Sequence, residues 1–342
     1  GLWSTWAIIA CLYCLCRWYW DGQYVFSIQV LAYAAIPLVA LSLPYIFWID
    51  RALVKQRDHT WHFGALLLMQ PGWDTEEIKK HWRAWIIKAF FTAFMISIIP
   101  FAFRTVVTAD IAEVMARPER VALTAIEAMF MIDVMIGTVG YIVTMRPLDA
   151  HIRSGNPLLA GWVAALICYP PLVWGILGDG RAINYEQNAA GWLHWLAGHD
   201  TLIAVWGGVL VLLTGIYAWA TFAFGLRFSN LTYRGVLTNG PYRFTRHPAY
   251  LSKNLFWWCS VLPFLVTTGS PVEAIRNSFF LLVVNGIYFW RAKTEEAHLL
   301  AEDPKYREYY AWMAHNGLIT APLTKLWNRF RPRPAISVEA TR

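Results

Sequence analysis

Long apolar runs separated by short polar loops dominate the pattern of this 342-residue chain. Eight runs stand out, at 2–16, 24–49, 84–103, 121–145, 158–177, 201–225, 250–267 and 274–290. A bilayer core about 30 Å thick takes about 20 apolar residues per helical span. Only helices or closed barrels satisfy their backbone there, and these runs lack the two-residue alternation of barrel strands. The pattern predicts an all-α fold, a polytopic transmembrane helical bundle of about eight spans. The run at 2–16 is the shortest. No small-residue cleavage site follows it, so it reads as a helix rather than a removed leader.

Local signals add detail between the runs. Asp74, followed three residues later by Glu77, predicts a helix start leading into the third span. Segment 62–73 is apolar and aromatic, broken by Pro71-Gly72, and is expected to lie in the membrane interface. Asp303-Pro304 is expected to end one helix and open a second, amphipathic one carrying Tyr306 to Met313. Three regions follow: N-terminal helices of unassigned role at 1–200, a core with the chemistry-bearing motifs at 201–328, and a Pro- and Arg-rich flexible tail at 329–342.

Composition agrees with a membrane chain. Hydrophobic residues make up 57% and charged ones only 15%, against about a quarter charged in a soluble domain. The net charge of +7 is unevenly placed. Arg51, Lys55, Arg57, Lys79, Lys80 and Arg83 precede the third span. Arg146 and Arg153 follow the fourth, and Arg227, Arg234, Arg243 and Arg246 precede the seventh. Every second loop is basic, which predicts that these loops and both termini face the cytoplasm, in a bacterial inner membrane. Topology thus accounts for the basic balance, and nucleic acid is not an expected partner. No feature of the sequence specifies an oligomeric state. Cys11, Cys14, Cys16, Cys168 and Cys259 all fall in apolar runs and read as lipophilic side chains, not a disulfide framework. His194 and His199 in the outer loop have no ligand-spaced partners beyond Asp200, so no metal is expected.

Two constellations carry chemistry. The first is Gly240-Pro241-Tyr242-Arg243-Phe244-Thr245-Arg246-His247-Pro248-Ala249-Tyr250. Pro248 suits the first turn of a helix, which puts His247 near the N-cap. The free N–H groups there favour an anion, and Arg246 adds a planar cation that can grip a carboxylate or phosphate. Taken alone, this stretch could also be an ordinary basic, aromatic interfacial loop. The second is Arg291-Ala292-Lys293-Thr294-Glu295-Glu296, followed by Tyr306-Arg307-Glu308-Tyr309-Tyr310. Glu295 and Glu296 point about 100° apart on a helix, so at most one faces a given site squarely. Arg291 can pair with Glu295 four residues on. Two acids at a helix C-terminus need a cationic partner, which Arg246 or a bound ammonium or sulfonium group could supply.

Together the two constellations resemble the isoprenylcysteine carboxyl methyltransferase family and its phospholipid-methyltransferase relatives. The resemblance covers about 201–323. It implies S-adenosylmethionine as cofactor, in a pocket at the membrane face formed by Tyr242, His247, Pro248, Tyr250, Glu295 and Glu296 and capped by the C-terminal segment. The expected activity is methyl transfer to a membrane lipid or small amphiphile. The sequence departs from the family after Tyr250, where Leu251-Ser252-Lys253-Asn254 replaces small and apolar residues. Lys253 and Asn254 are therefore expected to help select the acceptor. A carboxylate acceptor would need no base and could be held by Arg246. An amine, phenol or thiol would need His247 or Glu296 as proton acceptor. No Gly-x-Gly-x-x-Gly follows a strand, so a soluble Rossmann-type enzyme is not supported. An NADPH-dependent membrane reductase of the sterol-reductase kind, with a similar helical scaffold and Arg-His-Pro-like loop, is the alternative. A non-enzymatic helper or transporter on the same scaffold is the third.

Other polar residues lie within the runs. Glu127 and Asp133 are functional candidates because acids are costly there, and their spacing of six puts them on different faces. Lys88 is expected to snorkel and Asn285 to join helices. The orientation is testable. A cysteine engineered beside Arg153 is expected to resist an impermeant thiol reagent added outside intact cells and to react once the membrane is opened; labelling from outside would reverse the assignment.

Overall fold

The structure is a computed structural model describing residues 1–51, 53, 56–178, 180–266 and 269–330, the side chains of 327 and 330 excepted. Lys55, the run and loop ends at Asp179 and Thr267, and the tail beyond residue 330 lie outside the described residues. Fourteen α-helices follow one another among the described residues: α1 Leu2–Leu15, α2 Tyr24–Asp50, α3 His59–Leu67, α4 Thr75–Val107, α5 Ile111–Met115, α6 Pro118–Ile142, α7 Leu159–Leu166, α8 Leu172–Ile176, α9 Trp192–Trp195, α10 Asp200–Phe224, α11 Pro248–Val261, α12 Pro271–Glu302, α13 Pro304–Asn316 and α14 Thr320–Phe330. The helix starts follow from local chemistry. Asp74 caps α4 by accepting from the Glu77 N–H at 3.0 Å, and Asp303 caps α13 by accepting from the Lys305 N–H at 2.8 Å. Helices α6, α11, α12 and α13 all open on proline, whose missing N–H would have had no partner in the first turn.

Five helices are long and apolar enough to cross a membrane: α2, α4, α6, α10 with its extension to Arg227, and α12. The other three expected spans are shorter. At about 1.5 Å per residue, the fourteen residues of α1 and of α11 reach about 21 Å, less than a bilayer core. The expected fifth span is two short helices, because Pro170 and Pro171 lack the N–H groups that would continue α7 into α8. At the seventh, α11 stops where Leu262 takes a left-handed conformation ahead of Pro263. Conversely, the third span is the membrane part of one 33-residue helix that begins at Thr75.

Helix α6 is flanked by α4 and α10, and α10 also packs on α11. Small residues allow the close approach. A Cβ added at Gly207 of α10 would lie 2.7 Å from the Ala122 Cβ of α6, as in other membrane helix contacts. Helix α2 sits at the edge and turns Tyr33, Ile36 and Phe47 outward, as a lipid-facing helix would. Lys88 does not simply snorkel. Its Nζ donates to Thr144 Oγ1 at 2.8 Å, which anchors α4 to the segment after α6. Asn285 does join helices: it accepts from Trp258 Nε1 and donates to Asn254 Oδ1, both on α11.

Two of the polar connections between spans meet at one end of the bundle. Ser154–Gly155 (β1) and Thr232–Tyr233 (β2) form a short antiparallel pair that ties the loop after α6 to the loop after α10. Arg234 is the centre of this end. Its buried guanidinium donates to Gly140 O and Phe228 O at 2.8 Å, to Val143 O at 3.3 Å, and to Ala150 O. Burial pulls its pKa down to about 10, still charged at neutral pH. Four carbonyl dipoles replace the water it has lost. The same corner tolerates no side chain at Gly140, where a Cβ would sit 2.6 Å from Phe228 O. Gly140→Ala is expected to lower stability by about 1–3 kcal/mol through overpacking. Gly208→Ala, where no atom lies within 4 Å, is expected to be neutral or stabilising by under about 1 kcal/mol. Melting of the two purified variants checks the contrast.

Candidate functional site

The Arg-His-Pro loop leaves a short 3-10 turn at Gly240–Arg243 and enters α11 at Pro248. His247 occupies the N-cap position. Gly240 is required there. It has φ of +57°, and an added Cβ would meet Trp219 and Ala223 at 3.2–3.4 Å. The turn and the first residues of α11 face the last three turns of α12. Arg246 Nε donates to Glu296 Oε1 at 2.8 Å, His247 Nε2 lies 3.0 Å from the same oxygen, and Lys293 Nζ donates to Oε2 at 2.7 Å. The Glu296 side chain is only 4% exposed. Three nitrogen partners thus converge on one buried carboxylate. Arg246 also stacks on Tyr310 of α13, 4.0 Å from the ring centroid, so the same guanidinium joins the loop, α12 and α13.

Glu295 faces a different way. Its Oε1 accepts from the Tyr250 hydroxyl at 2.5 Å and from Arg291 Nε at 3.2 Å. Arg291 is buried, donates to Asn230 Oδ1 at 2.5 Å, and lies over the rings of Tyr250 and Tyr169. The His247 and Tyr250 rings stack 5.6 Å apart. Tyr309 of α13 donates to the Tyr242 carbonyl at 2.6 Å, closing α13 over the loop. Burial pushes the Tyr242, Tyr306 and Tyr309 phenols up, so each remains a neutral donor at neutral pH. The Tyr233 hydroxyl, and after it the Lys305 N–H, holds the Asp303 carboxyl below its ordinary value, keeping it ionised where α12 passes into α13.

These groups enclose a 340 Å³ cavity. One end is lined by Tyr242, Arg246, His247, Tyr250 and Glu295, with Tyr306 and Tyr309 above them. The other runs between α4, α6, α10, α11 and α12, past Phe94, Phe130, Tyr217, Lys253 and Tyr288. Of the residues singled out in the sequence, Tyr242, Arg246, His247, Tyr250, Lys253 and Glu295 line this space, as does Asp133. Glu296, Pro248 and Asn254 are outside the lining. Glu296 stands behind the wall and holds it, Pro248 is buried in the first turn of α11, and Asn254 is bound to Asn285. Lys253 projects among three rings, 5.6 Å from the centroids of Tyr217 and Tyr288 and 5.3 Å from that of Trp257. Sequence reasoning missed Asn230, Tyr217 and Tyr288. Nothing in their local pattern distinguishes them from other polar or aromatic residues near a membrane. Among the described residues no group of His, Cys, Asp and Glu could hold a metal.

Residues 219–312 match a family of proteins of unknown function, DUF1295, which is associated with steroid 5-alpha reductase- and methyltransferase-like membrane proteins. The match spans the end of α10 to most of α13 and so contains both motif segments. No curated protein and no solved structure matches the chain.

Glu296 and Glu295 are expected to behave differently when neutralised. Glu296→Gln strips the counter-charge from buried Arg246 and is expected to cost about 3–5 kcal/mol of stability. Glu295→Gln likewise removes the carboxylate beside buried Arg291, but Glu295 is itself partly exposed, Asn230 still accepts from Arg291 and an amide oxygen remains for Tyr250, so it is expected to cost less. Chemical denaturation of both proteins in the same detergent measures the difference.

Proposed function

We propose that this protein is an integral membrane methyltransferase that uses S-adenosylmethionine to modify a lipid or small amphiphile at the cytoplasmic membrane face. The observation that carries this reading is the convergence of Tyr250, Glu295, His247 and Arg246 on one end of a cavity whose other end lies between apolar helices. The donor set suits that cofactor. Glu295 Oε2 has no hydrogen-bond partner among the described residues and could accept from an ammonium or a ribose hydroxyl. Arg246 Nη1 is buried without a partner and could hold a carboxylate. The rings of Tyr242, Tyr250, Tyr306 and Tyr309 offer faces for an adenine or a sulfonium. Bound there, the cofactor would supply an electrophilic methyl group.

The chain's own residues then perform positioning. Methyl transfer is an in-line displacement, and its rate depends on alignment of acceptor, methyl carbon and sulfur. Glu296 fixes Arg246 and His247, while Arg291 and Tyr250 fix the Glu295 carboxylate. Helix α13 covers the loop and excludes water. His247 reaches the cavity and is the group placed to receive a proton from a neutral acceptor. Glu296, its oxygens taken up by Arg246, His247 and Lys293, acts through the residues it holds.

A second reading is an NADPH-dependent reductase. It draws on the family association of residues 219–312 and on Arg227, Arg234, Arg246, Lys253 and Arg291 in the lining. All four of those arginines already have protein partners, however: Arg227 Asp149, Arg234 four carbonyls, Arg246 Glu296, and Arg291 Glu295 with Asn230. The 340 Å³ volume is near the lower end of ligand cavities, about 300–1,000 Å³.

Equilibrium binding of tritiated S-adenosylmethionine and of NADPH to the purified protein separates the readings. S-adenosylmethionine is expected to bind, and Glu295→Gln to weaken it about 10- to 100-fold by loss of a charge-assisted hydrogen bond. Tyr250→Phe, which keeps the ring, is expected to weaken it less. Binding of NADPH alone would replace the methyltransferase reading with the reductase.

A further inference from the structure

The far end of the cavity contains a carboxylate with no role so far. Asp133 lies sixteen residues into α6, is 6% exposed and lines the cavity. Its Oδ1 is fully buried without a hydrogen-bond partner. The hydroxyls of Thr221 and Tyr217, both on α10, interact with the carboxylate. A carboxylate oxygen stranded inside a membrane bundle is costly unless something donates to it. Native structures rarely leave one so placed without a ligand or water.

The surroundings restrict what that donor can be. Lys253, from α11, is close enough to influence the Asp133 charge, yet the two form no salt bridge. Its ammonium sits instead among the rings of Tyr217, Trp257 and Tyr288. Aspartate and lysine together make this end close to neutral. A second cation would be repelled by Lys253, and an anion by Asp133. A neutral group that donates a hydrogen bond fits both, and the aromatic and aliphatic wall around it fits an apolar body.

We propose that Asp133, with Tyr217 and Lys253, forms a subsite that recognises the hydroxyl group of an amphiphilic alcohol or phenol, the hydroxyl donating to Asp133 Oδ1. The subsite deepens the acceptor side of the methyltransferase reading and rests on that reading only for the name acceptor. Lys253 acts here by cancelling charge. Asn254, committed to Asn285, takes no part.

The test reads binding without turnover. Purified protein in nanodiscs is titrated with dodecanol, dodecyl methyl ether and dodecylamine, and with S-adenosylmethionine on the same preparation. The wild type is expected to prefer dodecanol over its methyl ether by about tenfold or more, since a site built to bond a hydroxyl rejects the analogue lacking it. Asp133→Asn is expected to shrink that preference several-fold. Lys253→Met is expected to raise dodecylamine affinity, because the Asp133 charge is then uncompensated. Melting transitions report folding separately. A wild type indifferent to the hydroxyl overturns the proposal. So does an Asp133→Asn protein with the full preference, the result expected if Asp133 merely binds an internal water. Should Asp133→Asn not fold, Lys253→Met decides: an unchanged amine affinity overturns the assignment. A hydroxyl preference in a protein that binds no S-adenosylmethionine would leave the subsite standing and remove the methyltransferase reading.

Discussion

The Glu296 carboxylate is the constraint on which the site depends. It is buried, and water cannot solvate it, so Arg246, His247 and Lys293 must. Each of those bonds fixes a different piece of chain. Arg246 and His247 hold the end of the loop and the first turn of α11, and Lys293 belongs to α12 itself. Because Arg246 also stacks on Tyr310, α13 is placed by the same charge. A buried ion pair adds little net stability compared with apolar packing, yet losing one partner is costly. Its main effect is therefore to specify one arrangement of loop and helices. That arrangement turns Glu295, Tyr250 and the His247 ring toward the cavity.

A second polar knot, around Arg234, plays the corresponding part for the N-terminal half. Its guanidinium binds carbonyls from the end of α6, the segment after it, and the segment after α10. This anchors helices outside the matched family segment to the loop inside it. The cavity wall depends on that attachment, since Phe94 and Phe130 come from α4 and α6. The N-terminal helices thus complete the chamber that the C-terminal motifs open into.

The sequence made the broad fold legible because membrane helices announce themselves by length and apolarity, and because capping residues such as Asp74 and Asp303 act locally. The meeting of the Arg-His-Pro loop with Glu295–Glu296 was also legible, since both motifs bracket the α11–α12 hairpin. Three features were not. The break of α7 at Pro170-Pro171 hides within an apolar run, where hydropathy outweighs two prolines. The early end of α11 at Leu262 is marked only by Pro263, a stop signal that the surrounding apolar run outweighs. The places of Arg234 and Asp133 depend on contacts more than eighty residues apart in sequence. A one-dimensional pattern flags a charge near or in a membrane segment, but not which carbonyl or hydroxyl meets it.

The central claim is that loop, α12 and α13 together enclose a cofactor. Hydrogen–deuterium exchange with and without saturating S-adenosylmethionine tests it most directly. The account predicts that the cofactor slows exchange in two separated stretches at once, 240–250 and 304–316, and leaves α1 to α3 unchanged. No added protection in either stretch, or protection confined to the N-terminal helices, would contradict it.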